Sequence, residues 1–148
     1  MDPFEFLRRD LERISRALGP QLLPTTFQVE ERTFIIGYTS LKDARGEKGA
    51  YVAEIELIEI GKGVTGGVSL QLWPETRTAR IEYAMATPRR TGLGRPMVQA
   101  VERDLASRGY RKISLHALSD TIPFWKRLGY QPEGEPNGLG ALEMSKRI

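Results

Sequence analysis

The sequence predicts a mixed α/β domain in which antiparallel strands come first and a helix, a parallel strand and a short helix follow. Three observations point there. Several β-rich runs lie between short turn signals, which join neighbouring strands as antiparallel hairpins. Leu93, Met97, Val101 and Leu105 then repeat at steps of four, with Val98 beside them, as on one face of a helix. Beyond that helix, Lys112 to Leu118 reads as a strand reached by a crossover, so it should lie parallel to the strand that precedes the helix.

The N-terminus reads as a helix. Asp2 suits its cap and Pro3 its first position, and Leu7, Leu11, Ile14 and Leu18 form one apolar stripe before Gly19-Pro20 stops it. The stripe is expected to pack on the domain's own sheet, with a homodimer contact as the alternative. Four strand candidates follow: Phe27 to Tyr38, Ala50 to Ile60, Val64 to Trp73 and Thr78 to Ala86. Gly61-Lys62-Gly63 and Pro74-Glu75-Thr76-Arg77 are the turns between the later ones. Thr39 to Gly49 reads as a short loop rich in charge and glycine. The helix of Leu93 to Gly109 carries Pro96 in its first turn, where a missing N–H breaks no helical bond. Ser119 or Asp120 would cap a short helix ending at Leu128-Gly129, and Ala141 to Met144 is the last strand. The element order is α-β-β-β-β-α-β-α-β-β.

Composition bounds the function. At 148 residues the chain is the size of one domain, 1–148, with 40% hydrophobic and 28% charged residues and no linker or repeat. It has no cysteine, which excludes disulfides, thiolate nucleophiles and cysteine metal sites, and one histidine, which excludes a multi-histidine metal centre. No apolar run is long enough to span a membrane and the N-terminus lacks a signal-peptide core, so no membrane partner and a cytoplasmic location are expected. A net charge of +3 permits an anionic ligand and does not by itself argue for nucleic acid.

The stretch Arg89-Arg90-Thr91-Gly92-Leu93-Gly94-Arg95 lies between a strand and a helix. The first amides of a helix have no partners within it and carry the positive end of its dipole. Glycines let the backbone approach closely and adopt positive φ. Three arginines add full charges, so the turn suits an anion such as a pyrophosphate. A P-loop is excluded because no Gly-Lys-Ser/Thr follows, and a Rossmann fingerprint because the preceding strands are antiparallel.

Arg89-x-x-Gly92-x-Gly94 resembles the Arg/Gln-x-x-Gly-x-Gly/Ala signature of the GNAT superfamily of acyl-CoA N-acyltransferases. Thr121-Ile122-Pro123-Phe124-Trp125-Lys126-Arg127-Leu128-Gly129-Tyr130 resembles that family's later motif, Ala-Ile-Pro-Phe-Tyr-x-Lys-x-Gly-Phe. One helix and one strand separate the two, in the family's order, and the resemblance covers Ala79 to the C-terminus. It implies a GNAT-type fold with an N-terminal helix and a shortened connection between its first and second strands. That connection, Thr39 to Gly49, has no room for the two helices that usually wall the acceptor site. Either the N-terminal helix replaces part of the wall, or the groove is open and suits a bulky amine on a peptide, a protein or a nucleobase.

The resemblance further implies that acetyl-CoA or another short acyl-CoA is the co-substrate, with no metal, and that an amine attacks the thioester directly. The CoA site would comprise Ala84, Met85 and Ala86, where the strand before the turn splays from its neighbour, then Arg89, Arg90, Thr91, Gly92, Leu93, Gly94 and Arg95, and Trp125 on the second motif. Glu82, just before the splay and expected to be buried between strands, is the first choice of general base. Glu54, Glu56 and His116 are alternatives, and His116 equally suits a structural role. Trp125 replaces the tyrosine that often serves as acid, and its ring suits either a cofactor wall or plain core. Ser119, Tyr83 and Tyr130 are weak substitutes for that acid. The rival function is a CoA-binding or regulatory module without turnover. A nucleic-acid interface on Arg89, Arg90, Arg95, Lys126 and Arg127 is disfavoured, since no aromatic residues interleave the basic ones.

Overall fold

The computed structural model of the chain describes residues 18, 25–86 and 92–148. Its strands are β1 (Thr26–Val29), β2 (Arg32–Asp43), β3 (Tyr51–Glu59), β4 (Gly63–Trp73), β5 (Thr78–Ala86), β6 (Lys112–Ala117), β7 (Gln131–Pro132) and β8 (Leu142–Arg147). Helix α1 (Gly94–Ser107) lies between β5 and β6, and α2 (Ile122–Arg127) follows β6. They form one eight-stranded sheet in the order β1-β2-β3-β4-β5-β6-β8-β7. The β5–β6 pair is parallel, as the crossover requires, and the other neighbours are antiparallel.

The structure departs from the sequence reading in four places. The single strand expected from Phe27 to Tyr38 is a hairpin, with Val29 opposite Arg32 and Glu30 in the left-handed region at φ 57°. Five strands therefore precede α1, where four were expected. β2 then runs on to Asp43 through much of the expected loop. The turn closes with the Ala44 amide donating to the Ala50 carbonyl at 2.9 Å, so no helix separates β2 from β3. The last strand lies slightly further on, at Leu142–Arg147. Thr121, not Ser119 or Asp120, occupies the cap of α2, and its hydroxyl turns back to the Leu118 carbonyl at 2.8 Å.

One face of the sheet holds the core. Alternate residues of β3 (Ala53, Ile55, Leu57), β4 (Val68, Leu70, Leu72) and β6 (Ile113, Leu115, Ala117) are buried in one cluster with Met97, Val98, Val101 and Leu105 of α1. The helical stripe thus packs as its period predicts. Leu18 is helical and buried in the same cluster; the rest of the expected N-terminal helix lies outside the described residues. Asp104 fastens α1 to the hairpin. Almost fully buried, it accepts from Tyr38 Oη at 2.6 Å, Thr25 Oγ1 at 3.0 Å and Arg108 Nε at 2.9 Å. Burial, then the charge of Asp104, pushes the Tyr38 phenol far above its ordinary pKa, so it stays a donor. Among the described residues no helix is long and apolar enough to cross a membrane.

Candidate active site

The sheet opens where its two parallel strands part. Pairing of β5 with β6 runs from Thr78↔Lys112 to Ile81↔Leu115 and stops, although β5 continues to Ala86 and β6 to Ala117. Glu82 and His116 are the next residue on either side. On the other flank of β5, Ser69 faces Tyr83 while Leu70 faces Ile81, which makes Glu82 the extra residue of a β-bulge. A bulge leaves one residue unpaired and re-aims the strand. Here it turns both Glu82 and Tyr83 to solvent. The burial expected for Glu82 is therefore not found: its side chain is 49% exposed and lies 3.6 Å from Arg80 Nε.

A charged network crosses the opening on the face away from the helices. Arg80 donates from Nη1 and Nη2 to the two oxygens of Glu143, at 2.7 and 3.0 Å, and from Nη1 to Ser114 Oγ at 3.3 Å. The Glu143 carboxylate raises the Arg80 pKa beyond its already high value. His116 Nε2 lies 3.0 Å from Glu143 Oε2. Glu82, Arg80, Glu143 and His116 thus form one chain of contacts. Arg80 and Glu143 were not singled out from the sequence. Arg80 is legible in retrospect from strand alternation with Glu82. Glu143 is not, because its place opposite His116 depends on the β6–β8 register.

Arg89, Arg90 and Thr91 lie outside the described residues. Gly92 has φ 80°, which an L side chain rarely adopts. Leu93 is fully buried, Arg95 is exposed, and a Cβ on Gly94 would meet the Phe124 ring at 3.5 Å. Among the described residues no side chain caps α1, and its first turn holds no acidic residue, which leaves the helix start open to an anion.

Trp125 is buried. Its ring meets Phe124 and Tyr130 edge-on, with centroids at 5.0 and 5.3 Å. Tyr130 has no solvent exposure, and burial, reinforced by Glu102, holds its phenol far above the ordinary pKa, so it is no acid for a surface reaction. Ser119 is exposed, with its Cβ 3.4 Å from the place a Cβ on Gly140 would take. Tyr83 is 55% exposed on the free stretch of β5, and its hydroxyl reaches Met85 Sδ at 3.0 Å.

Beside that stretch the open face of β2–β5 holds a cavity of about 420 Å³. Glu54 and Glu56 line it from β3, Tyr83 and Met85 from β5, and Gly66 and Gly67 from β4. Gly66 lies so close to β5 that a Cβ would come within 2.6 Å of the Met85 carbonyl oxygen. A glycine there lets the end of β5 stay close to β4 as it leaves β6. Among the described residues no cluster of His, Cys, Asp or Glu is arranged to hold a metal.

A mixed sheet that opens between two parallel strands, ahead of a helix led by glycine, is the arrangement that the resemblance to acyl-CoA N-acyltransferases implied. The model of the acetyltransferase (GNAT) family matches residues 9–130, and the chain belongs to that family. The match reaches into the N-terminal half, where the sequence motifs did not. Solved structures agree on the fold. An acetyltransferase from Bacillus cereus aligns with a TM-score of 0.56 at 20% identity, over 69% of this chain and 76% of that one. The PaiA N-acetyltransferase of Thermoplasma acidophilum, solved with coenzyme A, aligns with a TM-score of 0.55 at 16% identity, over 66% and 61%. Mutant forms of the spermidine/spermine N-acetyltransferase SpeG of Vibrio cholerae align with a TM-score of 0.54 at 17% identity, over 69% of each chain. No curated protein sequence matches the chain.

Proposed function

We propose that the protein is a cytoplasmic N-acyltransferase of one domain, 1–148, that moves an acetyl or other short acyl group from acyl-CoA to an amine within a ternary complex. The observation that carries this reading is the end of β5–β6 pairing at Ile81↔Leu115, directly ahead of the glycine turn into α1. The backbone of Tyr83 to Ala86, paired with β4 but free on its β6 side, would receive the extended arm of the CoA, and the turn from Arg89 to Arg95 its pyrophosphate. The PaiA protein, solved with coenzyme A, supports the choice of co-substrate.

The chemistry would centre on the opening. The amine forms a C–N bond to the acyl carbonyl as the C–S bond breaks, and the amine proton leaves to a base. Glu82 is that base in our reading, with Arg80 holding it in place and His116 the alternative across the opening. Solvent exposure suits a carboxylate that must return its proton between turnovers. Tyr83 is the hydroxyl that would protonate the departing thiolate, the role Trp125 cannot fill. Most of the acceleration would come from orientation of amine and thioester. A second reading, a CoA-binding module without turnover, draws on Trp125 being a core ring where the family often has a tyrosine.

Thermal unfolding with and without millimolar acetyl-CoA tests the proposal, together with thiol release across a panel of amines. A ligand of the folded state raises Tm by mass action. Gly92→Asp should abolish the rise, because a carboxylate would stand at the phosphate site and φ 80° would be strained. No rise in the wild type overturns both readings. A rise without thiol release from any amine favours the second.

A further inference from the structure

The cavity on the open face is unlike its surroundings. Glu82 and Glu143, on the same face, each lie within 4 Å of a cation. Glu54 and Glu56, which line the cavity, have no ion pair among the described residues; Glu54 accepts one bond, from Ser69 Oγ at 2.9 Å. The opposite wall is apolar and uncovered, with Tyr83 and Met85 55% and 36% exposed. Strand register fixes the layout. Glu54, Ser69 and Tyr83 face one another across β3, β4 and β5, and Glu56, Gly67 and Met85 form the adjacent row. Between the carboxylates and the apolar wall the second row has only Gly67, so the floor is low there.

From this cavity we infer the acceptor class: an aliphatic diamine, one end an ammonium held by Glu54 and Glu56, the other the amine that is acylated beside Tyr83. This inference rests on the acyl-transfer reading. Two strand spacings separate the carboxylate rows from β5, roughly 10 Å. That span fits two amines joined by an alkyl chain lying over Gly67 against Met85. Charge complementarity selects the far end. An unpaired carboxylate pair beside apolar walls favours a cation strongly and disfavours a neutral or acidic group. The near end must lose a proton to attack. It meets no carboxylate of the pair; its proton passes to Glu82 as the C–N bond forms and the C–S bond breaks, the thiolate takes a proton from Tyr83, and the far ammonium keeps its protons.

The test compares hexamethylenediamine with n-hexylamine. With acetyl-CoA, the wild type should show kcat/KM for the diamine roughly tenfold or more above that for the monoamine, the worth of a charge-assisted contact. In the E54Q/E56Q double variant the preference should collapse, with the loss in KM, while the Tm rise with acetyl-CoA attests an intact fold. Equal kcat/KM for both amines in the wild type overturns the inference, as does a preference that survives in the variant. Calorimetric binding of hexamethylenediamine alone separates the two layers of the proposal. Binding that needs Glu54 and Glu56 without any turnover upholds the cavity and overturns the transferase reading; neither binding nor turnover overturns the cavity.

Discussion

One face of the sheet is covered by α1, α2 and Leu18, and nearly every side chain it presents is apolar and buried. The other carries Glu54, Glu56, Arg80, Glu82, His116 and Glu143 and, among the described residues, no helix. The two are built from the same strands by alternation. Leu115 and Ala117 face the core while His116 between them faces solvent. The covered face holds the helices against the sheet, and the open face presents charged groups at the place where β5 leaves β6. Substitutions should therefore separate by face. Those on the open side should change activity with little effect on stability, and those on the covered side the reverse.

The largest expected effect is on the open face. Glu82→Gln should lower the acyl-transfer rate by roughly 10²–10⁴-fold, the usual worth of a general base. Urea unfolding should barely change, since the side chain is half exposed. An unaltered initial rate in the folded variant would move the base to Glu54, Glu56, His116 or water.

On the covered face, Asp104→Ala should cost about 3–5 kcal/mol of stability, the usual loss when one partner of a buried ion pair is removed. It would leave Arg108, Tyr38 and Thr25 without their shared acceptor. Urea denaturation measures this, and acetyl-CoA affinity of the folded fraction should hold. A variant that kept its stability and lost affinity would break the division between faces. Trp125→Phe should have a smaller effect, about 1.5 kcal/mol or less with transfer within about tenfold, because the ring packs in an apolar cluster that a smaller ring can still fill in large part. A large loss of CoA affinity would instead make Trp125 a cofactor wall.

These faces were unequally legible in the sequence. The helix through Leu93, Met97, Val101 and Leu105 is a local pattern and was found with its buried face. The β1–β2 hairpin was missed because Glu30-Glu31 carries no turn chemistry, although Glu30 takes a positive φ there. The opening of the sheet was placed by two motifs in order. Its charged network was not, because Arg80–Glu143 and His116–Glu143 join strands through a register that no local signal encodes. Glu82 was misjudged for a related reason: alternation assumes one residue per pleat, and a bulge adds another. Register also sets the cavity, whose rows from Glu54 to Tyr83 and from Glu56 to Met85 appear only once β3, β4 and β5 are aligned.

The smallest effect concerns the one charged residue that β3 turns toward the covered side. Glu59 follows Leu57 in the buried alternation, at the end of β3, and only 3% of it is exposed. Arg32 meets it with two bonds, Nε to Oε2 at 3.0 Å and Nη2 to Oε1 at 2.6 Å, while stacking over Phe34 at 5.0 Å, and Lys62 stands 3.6 Å away. The bond from Arg32 is the main cause that holds the Glu59 carboxyl below its ordinary pKa. A depressed folded pKa contributes stability that is fully present above the unfolded value, about 4.3. It is lost as pH falls through the folded one. Wild type should thus lose this contribution on acidification below about pH 4, whereas Glu59→Gln, which cannot ionise, should show a flatter profile. The gap between the two proteins in urea midpoint should be widest near neutrality and should narrow in acid. A gap that stayed constant across that range would mean that packing of the Arg32 stem on Phe34, and not the charge on Glu59, holds this corner of the covered face.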